Sequence, residues 1–448
     1  MQKKHKDSAH EPAMLFPLLL CSCASGDGVL PGASMRFAPT TQPADIDAHR
    51  VLHANATAAL FNARCLDGSN GGFYFRPASS AAAKNKWKFH FQGGAWCADA
   101  GSCAARSRTS LGSSKAWGRT LGAKAVSGLM SASVNATGQD VGNPFGSWNF
   151  VWLAYCDGSS QTSDRADPWL VDDGTGSGNN VTLHLRGRAL LDAHLHELEA
   201  RYGFLSEAEE VILSGTSAGG MSAFLHASFV KSQLRAPGAR LVAVPDAGFW
   251  WDVPRYGYPS GSPSMWTQRM TQAIAPDVWN ATLRGGLAVC LAAPPGGGAL
   301  ANCYTQPYAY AFLDVPTFVV QSLVDPANIG FCWNPLGCQI AGNTPGNCNA
   351  TSSPTLADFA AFSDSMKGNI TAAQAQFGSR DGHFLTSCNQ HEETCTQLDW
   401  WGITIGTQTM NSTFYTWYTQ GGSAVGSSAV DVAWPGDGSC GSWRHGAC

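Results

Sequence analysis

The sequence predicts an α/β fold in which a mostly parallel sheet lies between two layers of helices. From Val51 onward, short apolar runs typical of strands alternate with longer helical patterns. These runs are almost continuously apolar, as expected of strands that are covered on both faces. The strand candidates are Lys88–Phe91, Phe150–Tyr155, Glu210–Leu213, Leu241–Val244 and Thr317–Ser322.

Two helices are predicted beside this sheet because apolar residues recur on one face of each. The first carries Leu191, Leu195, Leu198 and Tyr202, and the second carries Met221, Phe224, Leu225 and Phe229.

Two segments that are rich in glycine, proline or polar residues are predicted to be long surface loops. They are Gly285–Gly298 and Leu336–Ser353.

The composition indicates a globular protein with a large core, since 44% of the 448 residues are hydrophobic and 13% are charged. The formal net charge is -4. Such a chain lacks the basic surface that would bind a nucleic-acid backbone or an anionic membrane. We therefore expect no nucleic-acid partner.

The cysteines and the N-terminus predict a secreted protein, located outside the cell or in the cell wall. Fifteen cysteines suit an oxidising compartment. Lysines 3, 4 and 6 precede a short apolar run and a small-residue cleavage site at 22–24, so residues 1–24 are predicted to be a signal peptide. The run is too short to span a bilayer, so no integral membrane association is expected. Residues 25–50 are predicted to be an irregular arm, and residues 51–448 a single domain.

Glycosylation would fit this destination, because the chain contains seven Asn-x-Ser/Thr acceptor motifs. They begin at Asn55, Asn135, Asn180, Asn280, Asn349, Asn369 and Asn411.

Removal of the predicted signal peptide would leave thirteen cysteines, so at least one cysteine is expected to be unpaired or bonded to another chain.

The strongest chemical signal is a Gly-x-Ser-x-Gly motif centred on Ser217, with a predicted strand before it and a predicted helix after it. Glycines 215 and 219 permit a strained turn that lifts the serine hydroxyl clear of the sheet, as in α/β-hydrolases. The backbone N–H of Ala218 then faces the same point and can stabilise an oxyanion. Ser217 is therefore the candidate nucleophile.

A serine nucleophile needs a histidine base and a carboxylate that orients the histidine. In α/β-hydrolases the acid and then the base follow the serine along the chain. Asp325 comes just after a predicted strand, where α/β sheets place active sites. His383 and His391 are both possible bases, and the pattern alone does not choose between them. Asp246 and Asp381 are rival acids.

A second glycine-rich turn, Gln92–Cys97, directly follows the first strand candidate. Turns of this kind supply further oxyanion N–H groups in lipases and esterases, because glycine lets the backbone approach the substrate oxygen closely.

At this point the chain resembles the pectin acetylesterase/Notum family of carboxylesterases. The resemblance rests on ordered blocks that begin at Cys65, Gln92, Tyr155, Leu185, Leu213 and Asp246 and end with Asp325 and Phe384–His391. It implies an α/β-hydrolase-like three-layer sandwich. It also implies Ser217 as nucleophile, Asp325 as orienting acid, His391 as base, and an oxyanion hole lined by the backbone N–H groups of Gly94, Ala95 and Ala218. Disulfides Cys97–Cys103 and Cys65–Cys156 are implied as well.

The chain departs from the plant acetylesterases at several positions. These enzymes have a glycine where Ala95 stands, a glutamate at Gln92, a cysteine at Thr216, and Cys-Gln where this chain has Glu392-Glu393. Glu392 is more similar to the animal Notum branch, which removes a fatty acyl group from a signalling protein.

The leading functional hypothesis is removal of O-acetyl groups from an extracellular polysaccharide through an acyl-enzyme. Notum-like removal of a long acyl chain from a protein or lipid is an alternative, and a catalytically inactive secreted binding module is another. Phe249, Trp250 and Trp251 are bulky enough to fill an acyl pocket or to line it. No cofactor or metal is expected, since the tempting pair His194 and His196 points to different faces of a helix.

Overall fold

The computed structural model describes residues 48–121, 126–132, 142–258, 264–295, 298–333, 340–341, 344–345, 354–377, 380–394, 397–421 and 428–434. The predicted signal peptide and nearly all of the predicted arm lie outside these ranges. So do the acceptor asparagines Asn135 and Asn349 and most of the predicted loop Leu336–Ser353.

Within the described residues, nine strands form one sheet. In chain order they are β1 His49–Leu52, β2 Gly72–Arg76, β3 Lys86–Phe91, β4 Asn149–Leu153, β7 Glu210–Thr216, β8 Arg240–Asp246, β9 Phe318–Ser322, β12 Gly382–Thr386 and β15 Ala429–Val430. Their spatial order is β1-β2-β4-β3-β7-β8-β9-β12-β15. Strands β1, β2 and β4 pair antiparallel, and every other pairing in this sheet is parallel.

Three two-stranded ribbons accompany the sheet. They are β5 Trp169–Asp172 with β6 Asn180–Leu183, β10 Ile340–Ala341 with β11 Thr344–Pro345, and β13 Thr404–Ile405 with β14 Gln408–Thr409.

Helices cover both faces of the sheet. The α-helices are α1 Asn55–Phe61, α2 Ala100–Arg106, α3 Gly187–Tyr202, α4 Phe204–Glu207, α5 Ala218–Gln233, α6 Met265–Ile274, α7 Gly286–Ala292, α8 Gln306–Ala309, α9 Pro326–Asn328, α10 Leu356–Ala375, α11 Gln397–Gly402 and α12 Met410–Thr419. Short 3₁₀ turns span Ala81–Ala83, Gly128–Met130, Leu300–Tyr304 and Tyr310–Phe312, and a π-turn spans Ile329–Trp333.

Strand β7 shows why the sheet needs a layer on each face. Successive side chains of a strand point to opposite faces. Val211 and Leu213 accordingly join the core that contains α3 and α5, whereas Ile212 joins the core that contains α12. All three side chains are buried. The predicted α/β three-layer sandwich is therefore confirmed.

The five predicted strands are present as β3, β4, β7, β8 and β9, with ends shifted by up to three residues. Both predicted helices are present as α3 and α5. Strands β1, β2, β12 and β15 were not predicted. The prediction of a loop over Gly285–Gly298 was wrong in part, because α7 forms there and buries Leu287 and Cys290.

Both disulfides implied by the family resemblance are present. Cys65 is bonded to Cys156 and Cys97 to Cys103. A third bond joins Cys290 to Cys303. Among the described cysteines, Cys388 is also disulfide-bonded and Cys332 is buried and free.

No helix in the described ranges combines the length and apolar character needed to cross a membrane.

Candidate active site

The Gly-x-Ser-x-Gly motif forms a sharp turn between β7 and α5. Ser217 is the residue between the two elements and has φ 56° and ψ -120°, a backbone conformation that is strained for a residue with a side chain. Its backbone N–H donates a hydrogen bond to the carbonyl oxygen of Asp246, at the end of β8, at 2.9 Å. The strain is thus held in place by the neighbouring strand, as expected of a nucleophile elbow.

The positions two residues before and two residues after Ser217 must be glycine, because neither has room for a Cβ atom. A Cβ atom added to Gly215 would lie 2.1 Å from the carbonyl oxygen of Gly219. One added to Gly219 would lie 2.1 Å from the carbonyl oxygen of Phe91, at the end of β3. Because both neighbours are backbone atoms, they cannot move aside as a flexible side chain would. The two glycines therefore allow the turn to close against β3.

Asp325 and His391 form a hydrogen-bonded pair at the same edge of the sheet. Asp325 follows β9, His391 follows β12, and the Nδ1 atom of the histidine lies 2.8 Å from Oδ2 of the aspartate. The carboxylate is fully buried, and it also accepts hydrogen bonds from the N–H of Ala327 at 2.7 Å and the amide of Gln321 at 3.1 Å. These partners fix the carboxylate, which in turn orients the imidazole with Nε2 facing away from it.

The rival base His383 and the rival acid Asp381 contact other groups. His383 lies within β12, where its Nδ1 atom is 2.6 Å from the amide oxygen of Gln374, and burial lowers its pKa to about 4. Asp381 precedes β12, at the opposite edge of the sheet, and pairs with Arg380 at 2.8 Å. Neither side chain contacts the Asp325–His391 pair.

Asp246 braces the segment that follows His391. Its Oδ2 atom accepts hydrogen bonds from the backbone N–H groups of Glu393 at 2.7 Å and Thr394 at 2.6 Å, and from the Thr394 hydroxyl at 2.8 Å. The carboxyl group is fully buried, and burial raises its pKa to about 7. Asp246 therefore contacts the loop that carries the histidine, and Asp325 contacts the imidazole.

The turn after β3 presents backbone N–H groups beside the elbow. Gly94 has φ 132° and Ala95 has φ 53°, a left-handed conformation that is unusual for alanine. The backbone N–H groups of Gly94, Ala95 and Ala218 donate no hydrogen bond to any described residue. The turn and the first residue of α5 thus supply three free donors, as an oxyanion hole requires.

Two buried side chains hold this turn from behind. Arg106 donates from Nη1 to the carbonyl oxygen of Gly94 at 2.7 Å, and the Tyr155 hydroxyl donates to the carbonyl oxygen of Ala95 at 3.0 Å. The guanidinium lies over the Tyr155 ring, with Cζ 4.7 Å from the centroid. Because both carbonyl oxygens are held in this way, the peptide units of the turn cannot flip. Sequence reasoning missed Arg106, which no short motif marks.

Ser217 and the loop that carries His391 meet at Gly93. A Cβ atom added there would lie 2.6 Å from the carbonyl oxygen of Thr216, 2.8 Å from Oε1 of Glu392 and 3.1 Å from Cβ of Ser217. The residue after His391 and the candidate nucleophile therefore flank the same point. No hydrogen bond joins the Ser217 hydroxyl to His391 among the described contacts, and catalytic hydrogen bonds are often looser without substrate.

The environment of His391 favours its protonated form. Burial alone would lower the pKa of the imidazole. The carboxylates of Asp325, Glu392 and Asp246 outweigh burial and raise the pKa to about 9. Glu392 thus acts on the His391 imidazole through its charge. Sequence reasoning had used Glu392 only to compare families, although its position next to the histidine was a signal.

No group of three or more histidine, cysteine, aspartate or glutamate side chains in the described ranges is arranged to hold a metal ion.

The chain is similar to known carboxylesterases. The family model described as Pectinacetylesterase matches residues 44–441. Pectin acetylesterase 5 of Arabidopsis thaliana is 32% identical over 220 residues, which cover 49% of this chain and 46% of that protein. Palmitoleoyl-protein carboxylesterase NOTUM of Schmidtea mediterranea is 27% identical over 370 residues, which cover 80% of this chain and 60% of that protein.

Human palmitoleoyl-protein carboxylesterase NOTUM is 26% identical over 295 residues, which cover 64% of this chain and 52% of that protein. The matched segments span about half the length of the curated relatives.

Proposed function

The chain belongs to the pectinacetylesterase family, and from that premise we propose that it is a secreted serine carboxylesterase that removes O-acetyl groups from an extracellular polysaccharide. The observation that carries the proposal is the pairing of His391 with a buried carboxylate at 2.8 Å, beside a strained serine turn and the N–H groups of Gly94, Ala95 and Ala218, which donate to no described residue. The disulfides support secretion, since such bonds persist in oxidising compartments.

In the proposed reaction, the Ser217 hydroxyl oxygen attacks the acetyl carbonyl carbon while His391 Nε2 accepts the hydroxyl proton. Negative charge develops on the carbonyl oxygen, where the N–H groups of Gly94, Ala95 and Ala218 stabilise it. The ester bond to the sugar oxygen then breaks, and His391 gives the proton to that oxygen. Water repeats the sequence on the acetyl-enzyme and releases acetate.

Aromatic packing beside the turn after β3 supports a short acyl group. Trp96, directly after Ala95, lies edge-on to Trp250 and Trp266, with centroids 5.1 Å and 5.2 Å away. The rings of Trp250 and Trp266 stack at 4.9 Å, and both are fully buried. A long acyl chain that extended in this direction would have to displace close-packed indole rings, which is costly. An acetyl group needs no such space.

The test is kcat/KM on one alcohol esterified with acyl chains of two to about sixteen carbons. We expect the value to fall steeply beyond about four carbons, whereas an open apolar pocket would gain about fourfold for each added methylene. Trp250→Leu should extend the accepted chain length. Trp417→Leu, on the other face of the sheet, is the control for a general loss of packing. Release of acetate from acetylated pectin and xylan would then identify the polysaccharide.

Notum-like removal of a long acyl chain is the second candidate. The match to NOTUM of Schmidtea mediterranea extends over more of this chain than the match to pectin acetylesterase 5, and Glu392 is more similar to that branch in the resemblance described above. A rate that rises towards long acyl chains would favour this activity over deacetylation.

A further inference from the structure

Two arginines, Arg255 and Arg269, lie close together near the ring of Phe331 and have no carboxylate partner among the described residues. We propose that they form an anion-binding site for the carboxylate of an acidic sugar in the substrate, next to the sugar that carries the ester. The inference rests on the proposed function and adds to it two residues that would bind such an acidic sugar.

Arg269 is a partly buried cation that has no negatively charged partner among the described residues. It lies on α6, and its Cζ atom is 4.9 Å from the ring centroid of Phe331. Its guanidinium makes no hydrogen bond or ion pair with any described residue. Burial lowers its pKa, the Cys332 thiol opposes this, and the positive charge of Arg255 lowers the pKa further. A cation that is desolvated beside another cation is unfavourable until an anion binds.

Arg255 reaches the same place from the loop after β8. Its Nη1 atom lies 3.4 Å from the amide oxygen of Gln268, the residue before Arg269, and its Nε atom is buried without a partner. The guanidinium also lies over the Tyr258 ring, with Cζ 3.8 Å from the centroid. Stacking on Tyr258 and the bond to Gln268 leave donors of this planar group available.

The acid that is nearest in sequence is already occupied. Asp252 accepts hydrogen bonds from the hydroxyl groups of Ser264, the residue that caps α6, and Thr267, the latter at 2.6 Å. Its carboxylate therefore stabilises the start of α6 and does not neutralise either arginine.

One aromatic ring connects this arginine pair to the candidate active site. The Phe331 centroid lies 6.1 Å from that of Trp96, which follows the turn with the free N–H groups. Phe331 also belongs to the π-turn that follows Asp325 and α9. Trp96 and Phe331 are both partly exposed. A chain of sugars that enters the site can therefore lie across these rings and bring a neighbouring acidic group to the arginines.

The chemistry of arginine favours a carboxylate as the ligand. The guanidinium presents a planar set of N–H donors that matches a carboxylate with two parallel hydrogen bonds. Free acetate, which is the product of the proposed reaction, has the same chemistry. The experiment must therefore separate a carboxylate within the polysaccharide from small carboxylates in solution.

Binding is measured first, by calorimetry, on the Ser217→Ala protein with trigalacturonate as the probe. We expect Arg269→Gln and Arg255→Gln each to weaken binding about tenfold, as is typical for a lost charge-assisted hydrogen bond. Arg235→Gln is the matched control, because it removes an equal charge from an exposed residue that pairs with Glu199. Equal affinity for trigalacturonate in all four proteins would overturn the proposal. So would binding that equimolar acetate abolishes, since the site would then be one for small anions.

Turnover provides a measurement that needs no variant. Wild-type kcat/KM should be about tenfold higher on acetylated polygalacturonate than on the same polymer with its carboxyl groups methyl-esterified. Equal values on the two polymers would contradict the anion site while the deacetylase activity stands. Failure to release acetate from any polysaccharide would contradict the proposed function, and the binding measurement would still decide on the arginines.

Discussion

The backbone N–H of Ser217 donates a hydrogen bond to the carbonyl oxygen of Asp246 at 2.9 Å. The carboxylate of the same aspartate binds the N–H groups of Glu393 and Thr394. A single residue at the end of β8 thus fixes the serine turn with its main chain and the histidine loop with its side chain. This explains how two segments that are far apart in sequence keep a common position.

Replacement of the candidate nucleophile should separate fold from function. Ser217→Ala keeps the backbone of the turn and removes the attacking oxygen. Because the members of a triad act as a unit, we expect turnover to fall about a millionfold. Circular dichroism and hydrolysis of 4-nitrophenyl acetate, measured on one sample, check this. A fluorophosphonate probe should label the wild-type protein at one serine, and the absence of labelling in folded wild-type protein would favour the binding-module alternative.

The two histidines should differ sharply. His391→Ala removes the group that contacts Asp325, so we expect a loss of activity close to that of Ser217→Ala. His383→Ala breaks only a hydrogen bond to Gln374 within the core and should mainly lower the melting temperature. Steady-state kinetics and thermal unfolding of both variants decide the assignment. A His383 variant that folds stably but is the less active of the two would show that the base is misassigned.

The two buried aspartates should also be distinguishable. Asp325→Asn leaves the imidazole in the wrong tautomer and should cost about ten-thousandfold in kcat. In Asp246→Asn the amide oxygen can take the place of Oδ2 and accept the same hydrogen bonds, while the amide nitrogen replaces the unpartnered Oδ1, so we expect a much smaller loss, of about tenfold or less. If the Asp246 variant were the more damaged in stably folded protein, Asp325 would not be the orienting acid.

Activity should rise with pH, because His391 must lose its proton to act as a base. With a pKa of about 9, about one molecule in a hundred has a neutral imidazole at pH 7. We therefore expect kcat/KM to increase about tenfold per pH unit until it levels off under alkaline conditions. Glu392→Gln removes one of the charges that raise this pKa.

The measurement is the pH profile of kcat/KM between about pH 6 and about pH 10, corrected for uncatalysed hydrolysis. The rising limb of Glu392→Gln should lie at lower pH than that of the wild type. A distant carboxylate, Asp314, which pairs with Lys231 at the surface, supplies the control variant Asp314→Asn. Identical limbs in all three proteins would contradict the assigned electrostatic role of Glu392.

The disulfides should contribute unequally to stability. Cys65 and Cys156 are 91 residues apart and Cys97 and Cys103 are 6 apart, so the first bond restricts the unfolded chain far more. Replacement of both cysteines by alanine should lower the free energy of unfolding by about 4 to 5 kcal/mol for the first pair and about 2 to 3 kcal/mol for the second. Denaturant unfolding measures both. Equal losses would mean that loop length does not govern the effect.

The elbow could be predicted from the sequence because its causes are local. Glycines 215 and 219, an apolar strand before them and a helical pattern after them all lie within about twenty residues. Strands β3, β4, β7, β8 and β9 were equally recognisable, since burial on both faces leaves continuous apolar runs. The parallel strands β12 and β15 were missed. Strand β1 lacks that signal, because it lies at one side of the sheet and none of its four residues is buried. Strand β2 is buried throughout and carries an apolar run, which sequence reasoning missed.

The local pattern could not decide between the two histidines as the candidate base. The decision depends on which histidine lies next to Asp325 in space, where the loop after β9 meets the loop after β12. His383 and His391 are 8 positions apart in the printed sequence, yet one lies inside β12 and the other beyond its end. Helix α7 was missed for a related reason. Its glycine-rich flanks predicted a loop, whereas the bond between Cys290 and Cys303 and the burial of Leu287 hold the helix in place.

The crowding around Gly93 has a genetic consequence. Its hydrogen faces the carbonyl oxygen of Thr216 and Cβ of Ser217, and any larger side chain would collide with both. A missense change at this codon would therefore produce a null allele although every reacting group is still encoded. A screen for loss of the proposed esterase activity should recover such alleles alongside those at the proposed triad residues Ser217, Asp325 and His391.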